Sequence, residues 1–556
     1  METEPLSLDK GANHGNHGSP GRTSESPSAM NAVTRSSRSV WPFVSVSAAS
    51  LILGAVSLIY PFGRDQGVFA FMADSLLSGR VMYRDVLDIK PPLTPFVHVL
   101  ALLLFGHSMT AIRILDLIWT SATALVLCAF ARRAFRSDLL GAIAGGLYPY
   151  FYVPLGFWTT AQTDGWLNLP VAGALALFLV AQERETRRAR LFLLGTGLCC
   201  GLAVLFKYTV GALPLLLTLV LLVGRRANLR DAAASAAWLL LGVLMPLLLC
   251  AIALLAYGAM PAFVENQFGL VPAYARIAVA HGLFGYVTGF VHGFTSHPGL
   301  RLPAIALAAG AVTGLLLYRR RPDWRVGLLL AAAWLAVAAG STFSQGKFFV
   351  YHYLPLLPAA AVGAALTAGL LLTKLKRGRV LAGTTLAALL FVVAGFPARF
   401  EASLRILSGR QTARDKWVGD PQYEGSDFSL RDDIELADYL REFTSPHDRV
   451  FIWGFEPAVY FLARRNTVTR FIDNVPMVVE YERQRYRAEF IEAFAREPAE
   501  VFIVEHGDSI PEATGVRNDS YGALLGFPEL VELLRMDYHA ETRVGRFDVL
   551  RRNLSP

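Results

Sequence analysis

The stretch PFGRDQGVFAF, Pro61 to Phe71, follows directly on an apolar run that covers residues 40–60. Such a run can cross a bilayer as a helix, which takes about 17–25 residues. Arg64 and Asp65 therefore stand at the mouth of a membrane span, where a charged group near hydrocarbon is costly and usually serves a polar cavity or substrate path. Two readings are open for Asp65. It is a cap for a helix starting at the water interface, a position Asp favours, or it is a chemical group in such a cavity.

The rest of the chain makes the membrane setting general. The 556 residues are 54% hydrophobic and 17% charged, against about 25% charged in soluble domains. Residues 1–38 are rich in Ser, Gly, Asn, Pro and Arg without apolar period and read as a disordered tail. Apolar stretches follow near 40–60, 110–131, 138–156, 166–182, 191–206, 208–224, 232–257, 301–318, 326–343, 354–373 and 380–398. They predict about eleven spans. Arg132/Arg133/Arg136, Arg184/Arg187/Arg188/Arg190, Arg225/Arg226/Arg230, Arg319/Arg320/Arg321/Arg325 and Lys374/Lys376/Arg377/Arg379 fall in every second connection. That alternation is how basic residues mark cytoplasmic loops. It explains the net charge of +8 without a nucleic-acid partner. The tail then lies in the cytoplasm, and the loop holding Asp65 faces outward.

An odd span count puts residues 399–556 on the outer side as a second domain. RVFIWG (449–454) and VFIVEH (501–506) read as buried strands, and 430–442 and 477–496 carry helical periodicity. A small α/β domain is expected. No phosphate-cradling glycine loop follows either strand, which argues against a nucleotide site. The four cysteines all lie in apolar runs, so the polar domain has no disulfide framework or zinc site.

The chemistry-bearing residues concentrate in the outward connections. The first, residues 61–109, is too long for a turn and contains GRVMYRDVLDIKPPLTPF. It offers the carboxylates Asp65, Asp85 and Asp88 and the cations Arg64, Arg84 and Lys90. Lys90 precedes two prolines and is set in non-helical chain; its bland reading is a cation snorkelling to the headgroups. The run to Phe105 is too short to span. WTTAQTDGW adds Asp164, which otherwise caps the helix beginning at Trp166, and LFKYTVGA adds Lys207 between two short apolar runs. SQGKFFVYHYLPLLP adds Lys347 and Tyr351, alternatively interface anchors, and His352, read as an interface residue. Arg113 and Asp116, one turn apart, read as a local pair. Outward carboxylates facing outward lysines suit a reaction on a lipid-linked phosphate: cations hold the phosphate and a carboxylate takes a proton from an acceptor.

Asp65-Gln66-Gly67, YRDVLDIKPPL (83–93) and LFGHSMTAIRI (104–114), with TDGW, FKYTVGA and GKFFVYHYLPLLP further on, resemble the GT-C superfamily of membrane glycosyltransferases. The likeness is to its bacterial branch, related to protein O-mannosyltransferases and lipid A aminoarabinose transferases, and extends over most of residues 40–400. It implies an α-helical polytopic membrane fold, with a transmembrane domain over 39–398. It implies a polyprenyl-phosphate sugar donor and work on the outer face of a bacterial inner membrane. The acceptor is a lipid, a polysaccharide or a protein. By resemblance Asp65 takes the catalytic position and Lys90 contacts the carrier phosphate, while Asp164, Lys207 and Lys347 line the same cavity with Tyr351, Arg84 and Asp88. Many relatives carry a second acidic residue where this chain has Gln66. That disfavours a divalent metal bridging neighbouring carboxylates, and a metal-free, inverting transfer is expected. The rival readings are a flippase of lipid-linked saccharides, against which no internal repeat is evident, and a ligand sensor, for which about eleven spans are excessive.

Overall fold

The apolar runs become helices wherever the chain is described. The computed structural model describes residues 39–184, 186–224, 228–277, 282–374 and 392–553. Among these, eight helical stretches are long and apolar enough to cross a membrane: Trp41–Ile59, Met109–Ala134, Thr163–Gln182, Arg187–Phe206, Leu229–Ala256, Pro298–Arg320, Pro322–Ser344 and Val350–Leu372. Two of the predicted spans keep their bounds to within a residue but combine an α-helix with a 3-10 turn. The 138–156 segment is a helix from Asp138 to Tyr152 closed by a 3-10 turn, because Pro149 and Pro154 remove backbone donors near its end. The 208–224 segment opens with a 3-10 turn, Tyr208–Gly211, before Ala212–Gly224 continues as a helix. The predicted tail (1–38) lies outside the described residues, as does most of the 380–398 span.

Helices of the bundle approach closely where side chains vanish. A Cβ on Gly197 would lie 2.0 Å from the Leu239 carbonyl, and one on Gly242 2.2 Å from that of Leu194. The Arg187–Phe206 and Leu229–Ala256 spans are thus in backbone contact, as small residues allow in membranes.

The connection between the first two long spans carries two helices, Arg64–Leu77 and Leu93–Phe105, with an irregular strap between them. The first is buried over Gln66–Ala73, more deeply than a helix lying along the interface would be.

In the C-terminal part a four-stranded sheet runs in the order β1-β2-β4-β3, where β1 is Val450–Trp453, β2 Val501–Glu505, β3 Tyr538–Val544 and β4 Phe547–Arg552. The two predicted strands are β1 and β2, parallel with Val450 opposite Val501 and buried along their whole length, as the unbroken apolar run of a two-sided strand requires. The β3–β4 hairpin turns at Gly545, whose φ of +54° suits glycine. It has no signal in the sequence because β3 is an edge strand exposed over most of its length, with only Tyr538 buried. The helix at 430–442 is Leu430–Phe443, but the one at 477–496 starts only at Arg483.

This part packs on the first loop. Leu87 bridges Phe471 in parallel register and donates its N–H to the Arg470 carbonyl at 2.7 Å. Arg80 reaches the Thr469 carbonyl at 3.0 Å, and Trp417 donates to Ile59 at 2.8 Å.

Candidate functional site

Asp65 lies in the first turn of the Arg64–Leu77 helix, whose cap is the extended Gly63 and not Asp65 itself. A carboxylate there is favoured by the partial positive charge of the helix start. Gln66 turns away from it. Its Oε1 accepts the Gly63 N–H at 3.0 Å, and its Nε2 donates to the carbonyls of Phe157, Trp158 and Thr160 at 3.1, 3.1 and 2.6 Å. The residue beside Asp65 is thus spent on tying this loop to the next.

Lys90 is fixed from both sides. The buried Tyr83, at a left-handed φ of +68°, donates its hydroxyl to the Lys90 carbonyl at 2.8 Å, and Asp88 Oδ1 accepts the Lys90 N–H at 2.8 Å. The ammonium then lies 3.3 Å from Asp65 Oδ2. It faces the rings of Phe69 and Tyr351 at 5.3 and 5.5 Å, and Tyr351 lies within the influence of the Asp65 charge. Burial works against the Lys90 charge, but Asp65 and Asp88 outweigh it and hold the ammonium above the usual lysine range. Burial pushes the Asp88 carboxyl up to about 6 against the pull of Lys90.

A second pair stands nearby. Lys207, at the break between the Arg187–Phe206 span and the Tyr208–Gly211 turn, lies 2.6 Å from both oxygens of Asp164. Asp164 caps nothing; the cap position of its short helix is Gln162. Thr94 and Thr163 bond at 3.0 Å and join the segments that follow Lys90 and precede Asp164. Lys90 feels the Asp164 charge, and Lys207 feels both Lys90 and Asp65. The arrangement is a cluster of two cations and two carboxylates, Asp65 with Lys90 and Asp164 with Lys207.

Lys347 approaches from another side, 3.2 Å above the Tyr274 ring, and donates to the Glu512 carbonyl at 2.8 Å. Burial, then the neighbouring Lys90 charge, pulls its ammonium down to about 7. His352, expected at the interface, is buried instead. Its Nδ1 has no partner among the described residues, and Lys207, Lys90 and Lys347 all act on its ring. Arg84 stands apart from the two lysine–carboxylate pairs: half exposed, it binds both Asp85 oxygens at 2.8 Å and the Tyr257 carbonyl at 2.9 Å. Nor do Arg113 and Asp116 pair as expected. Arg113 donates to the carbonyls of Tyr60, Pro61, Phe157 and Thr160, while Asp116 accepts from Tyr152 and Trp166 at 2.8 Å each.

Three features had no signal in the sequence. Arg64 binds Glu456 and Asp427 of the C-terminal part. Tyr274 lies under Lys347. Asp473 faces Asp88, and burial with that like charge pushes its carboxyl up to about 7. Among the described residues no group of three or more His, Cys, Asp or Glu is placed to hold a metal ion.

Known proteins share this architecture. Residues 89–255 match the family model "Dolichyl-phosphate-mannose-protein mannosyltransferase", under a third of the chain. The crystal structure of ArnT from Cupriavidus metallidurans bound to undecaprenyl phosphate superposes with a TM-score of 0.57 at 15% identity, covering 92% of this chain and 97% of that one. The archaeal oligosaccharyltransferase AglB from Archaeoglobus fulgidus, in complex with an inhibitory peptide and a dolichol-phosphate, superposes with a TM-score of 0.52 at 14% identity, covering 92% of this chain and 74% of that one. No curated protein matches at the level of sequence.

Proposed function

We propose, for a chain that has the fold of the GT-C membrane glycosyltransferases, that it moves a sugar from a polyprenyl-phosphate donor to an acceptor on the outer face of the membrane. The single observation that carries the reading is the Asp65–Lys90 pair at 3.3 Å beside the Asp164–Lys207 pair at 2.6 Å. Lysines already held among carboxylates give a carrier phosphate a cationic seat that needs no rearrangement when charge develops. ArnT with undecaprenyl phosphate and AglB with dolichol-phosphate support a lipid phosphate as the ligand of that seat.

In this reading Asp65 takes the proton from an acceptor hydroxyl as its oxygen attacks the anomeric carbon. The bond from that carbon to the phosphate oxygen breaks, and the electron pair leaves with the polyprenyl phosphate. Lys90 and Lys207 neutralise the leaving phosphate, and the in-line displacement inverts the anomeric centre. Residues 39–398 form the transferase domain and 399–556 an extracytoplasmic domain, oriented by the alternation of basic connections.

The test compares wild type with Asp65→Asn in reconstituted membranes, each given a panel of labelled polyprenyl-phosphate sugars and a membrane extract as acceptor. The expected result is transfer by wild type and a loss of roughly a thousand-fold or more in the variant, with the donor still bound. Transfer that survives in the variant removes Asp65 as the base. Movement of labelled lipid across the bilayer without transfer replaces the enzyme by a flippase.

A further inference from the structure

Arg64 is the residue before Asp65, and its side chain turns to the C-terminal part and not to Lys90. Its Nε and Nη2 lie 2.9 and 2.7 Å from Glu456 Oε1, its Nη1 3.1 Å from Asp427 Oδ2, and its Nη2 donates to the Asp427 carbonyl at 2.7 Å. The rings of Trp158, Phe428 and Phe455 surround it at 5.8–5.9 Å. The guanidinium is thus held in a fork geometry that only Arg satisfies. One turn on, a Cβ at Gly67 would lie 2.4 Å from the Ala458 Cβ, and Phe71 stacks on Tyr460 at 4.8 Å. The helix that carries Asp65 is therefore pressed onto the Ala458–Ala463 helix of the C-terminal part and pinned at its first residue.

We propose that Glu456 and Asp427 are positioning residues for Asp65. By fixing Arg64 they hold the first helical turn, and with it the Asp65 carboxylate, at bonding distance from Lys90. The C-terminal part then completes the site mechanically without touching the donor. The inference rests on reading Asp65 as the base. A misplacement of about 1 Å at a reacting group can cost about a hundred-fold in rate, which sets the scale of the effect.

The experiment uses the full chain in detergent or liposomes. Glu456→Ala removes the acceptor oxygen; Glu456→Gln keeps it, and its new amide lies where the unpartnered Oε2 now sits. Asp427→Ala acts at the rim, on a carboxylate 37% exposed, and keeps the test open if Glu456→Ala does not fold. Expected are a kcat loss of roughly 30- to 100-fold with donor KM unchanged in Glu456→Ala, a smaller loss of the same kind in Asp427→Ala, and recovery in Glu456→Gln. Folded alanine variants with wild-type kcat overturn the proposal, as does an equal loss in Glu456→Gln. A readout free of the reaction accompanies these. In an Asp65→Cys/Lys90→Cys background, cross-linking by a short bis-maleimide slows about ten-fold on adding Asp427→Ala if the clamp sets the geometry, and is unchanged if it does not. Were wild type to transfer nothing, the functional reading would fall while the cross-linking still decided the clamp.

Discussion

Lys207 and Asp164, 43 residues apart, meet with the ammonium nitrogen 2.6 Å from both carboxylate oxygens. Their side chains are 16% and 3% exposed. An ion pair this far from water leaves either partner costly to strand, by about 3–5 kcal/mol. Asp164→Asn and Lys207→Met each lower the thermal midpoint in detergent, and the double variant recovers most of the loss. Activity does not recover with it, because in the proposed mechanism the phosphate has lost its second cation. Thermal unfolding read beside transfer activity checks both halves.

Lys90→Gln keeps much of the stem's packing on Phe69 and Tyr351 but removes the charge. Transfer falls by roughly a hundred-fold or more, the cost of one donor aimed at developing negative charge. Binding of polyprenyl phosphate, measured by calorimetry, weakens less than transfer does.

Lys347 is held down to about 7 by burial and by Lys90. Its amine is therefore increasingly neutral above pH 7 and accepts acylating reagents there, ahead of ordinary lysines that titrate near about 10.4. In the proposed mechanism the donor phosphate binds beside it and favours the charged form. Labelling of Lys347, followed by mass spectrometry across pH, rises through an apparent midpoint near 7 and shifts upward when polyprenyl phosphate is added.

Asp473 is pushed up to about 7 by burial and the Asp88 charge. The folded carboxyl keeps a proton that the unfolded one releases, so its contribution is fullest below the ordinary value of about 4. Stability declines as pH rises from there to about 7. Asp473→Asn lessens this decline, of which the other raised carboxyls Asp88 and Glu456 keep a share. Limited proteolysis of the C-terminal part at pH 5 and pH 8 checks the sign: wild type is cut faster at the higher pH, and the ratio of the two rates is smaller in the variant.

Gly67→Val drives a branched side chain into the Ala458 backbone, 2.8 Å from where even a Cβ would sit. Overpacking of this kind costs about 1–3 kcal/mol. It reduces expression of folded protein and transfer together, unlike Glu456→Ala.

The membrane spans were legible because apolar length and basic alternation are local signals, and Asp65, Lys90, Asp164 and Lys207 stood out as charges where hydrocarbon tolerates few. What the sequence hid was pairing. The sequence places Lys90 at the carrier phosphate and Lys207 and Asp164 in its surroundings only by resemblance, and does not show that Lys207 is bound to Asp164 and Lys90 to Asp65. Arg113 was misread for the same reason: the Tyr60, Pro61, Phe157 and Thr160 carbonyls that it gathers come from two separate loops. The β3–β4 hairpin left no signal because an exposed edge strand such as β3 carries no apolar period.

Arg64 and Glu456 are separated by 392 residues of chain. On the ribosome, the membrane helices can be delivered to the bilayer long before Glu456 has been made, so the nascent protein passes through a stage in which the Arg64 turn has no anchor. Completion of the C-terminal part then ends that stage, and the membrane half acquires its working geometry as one of the last events of synthesis.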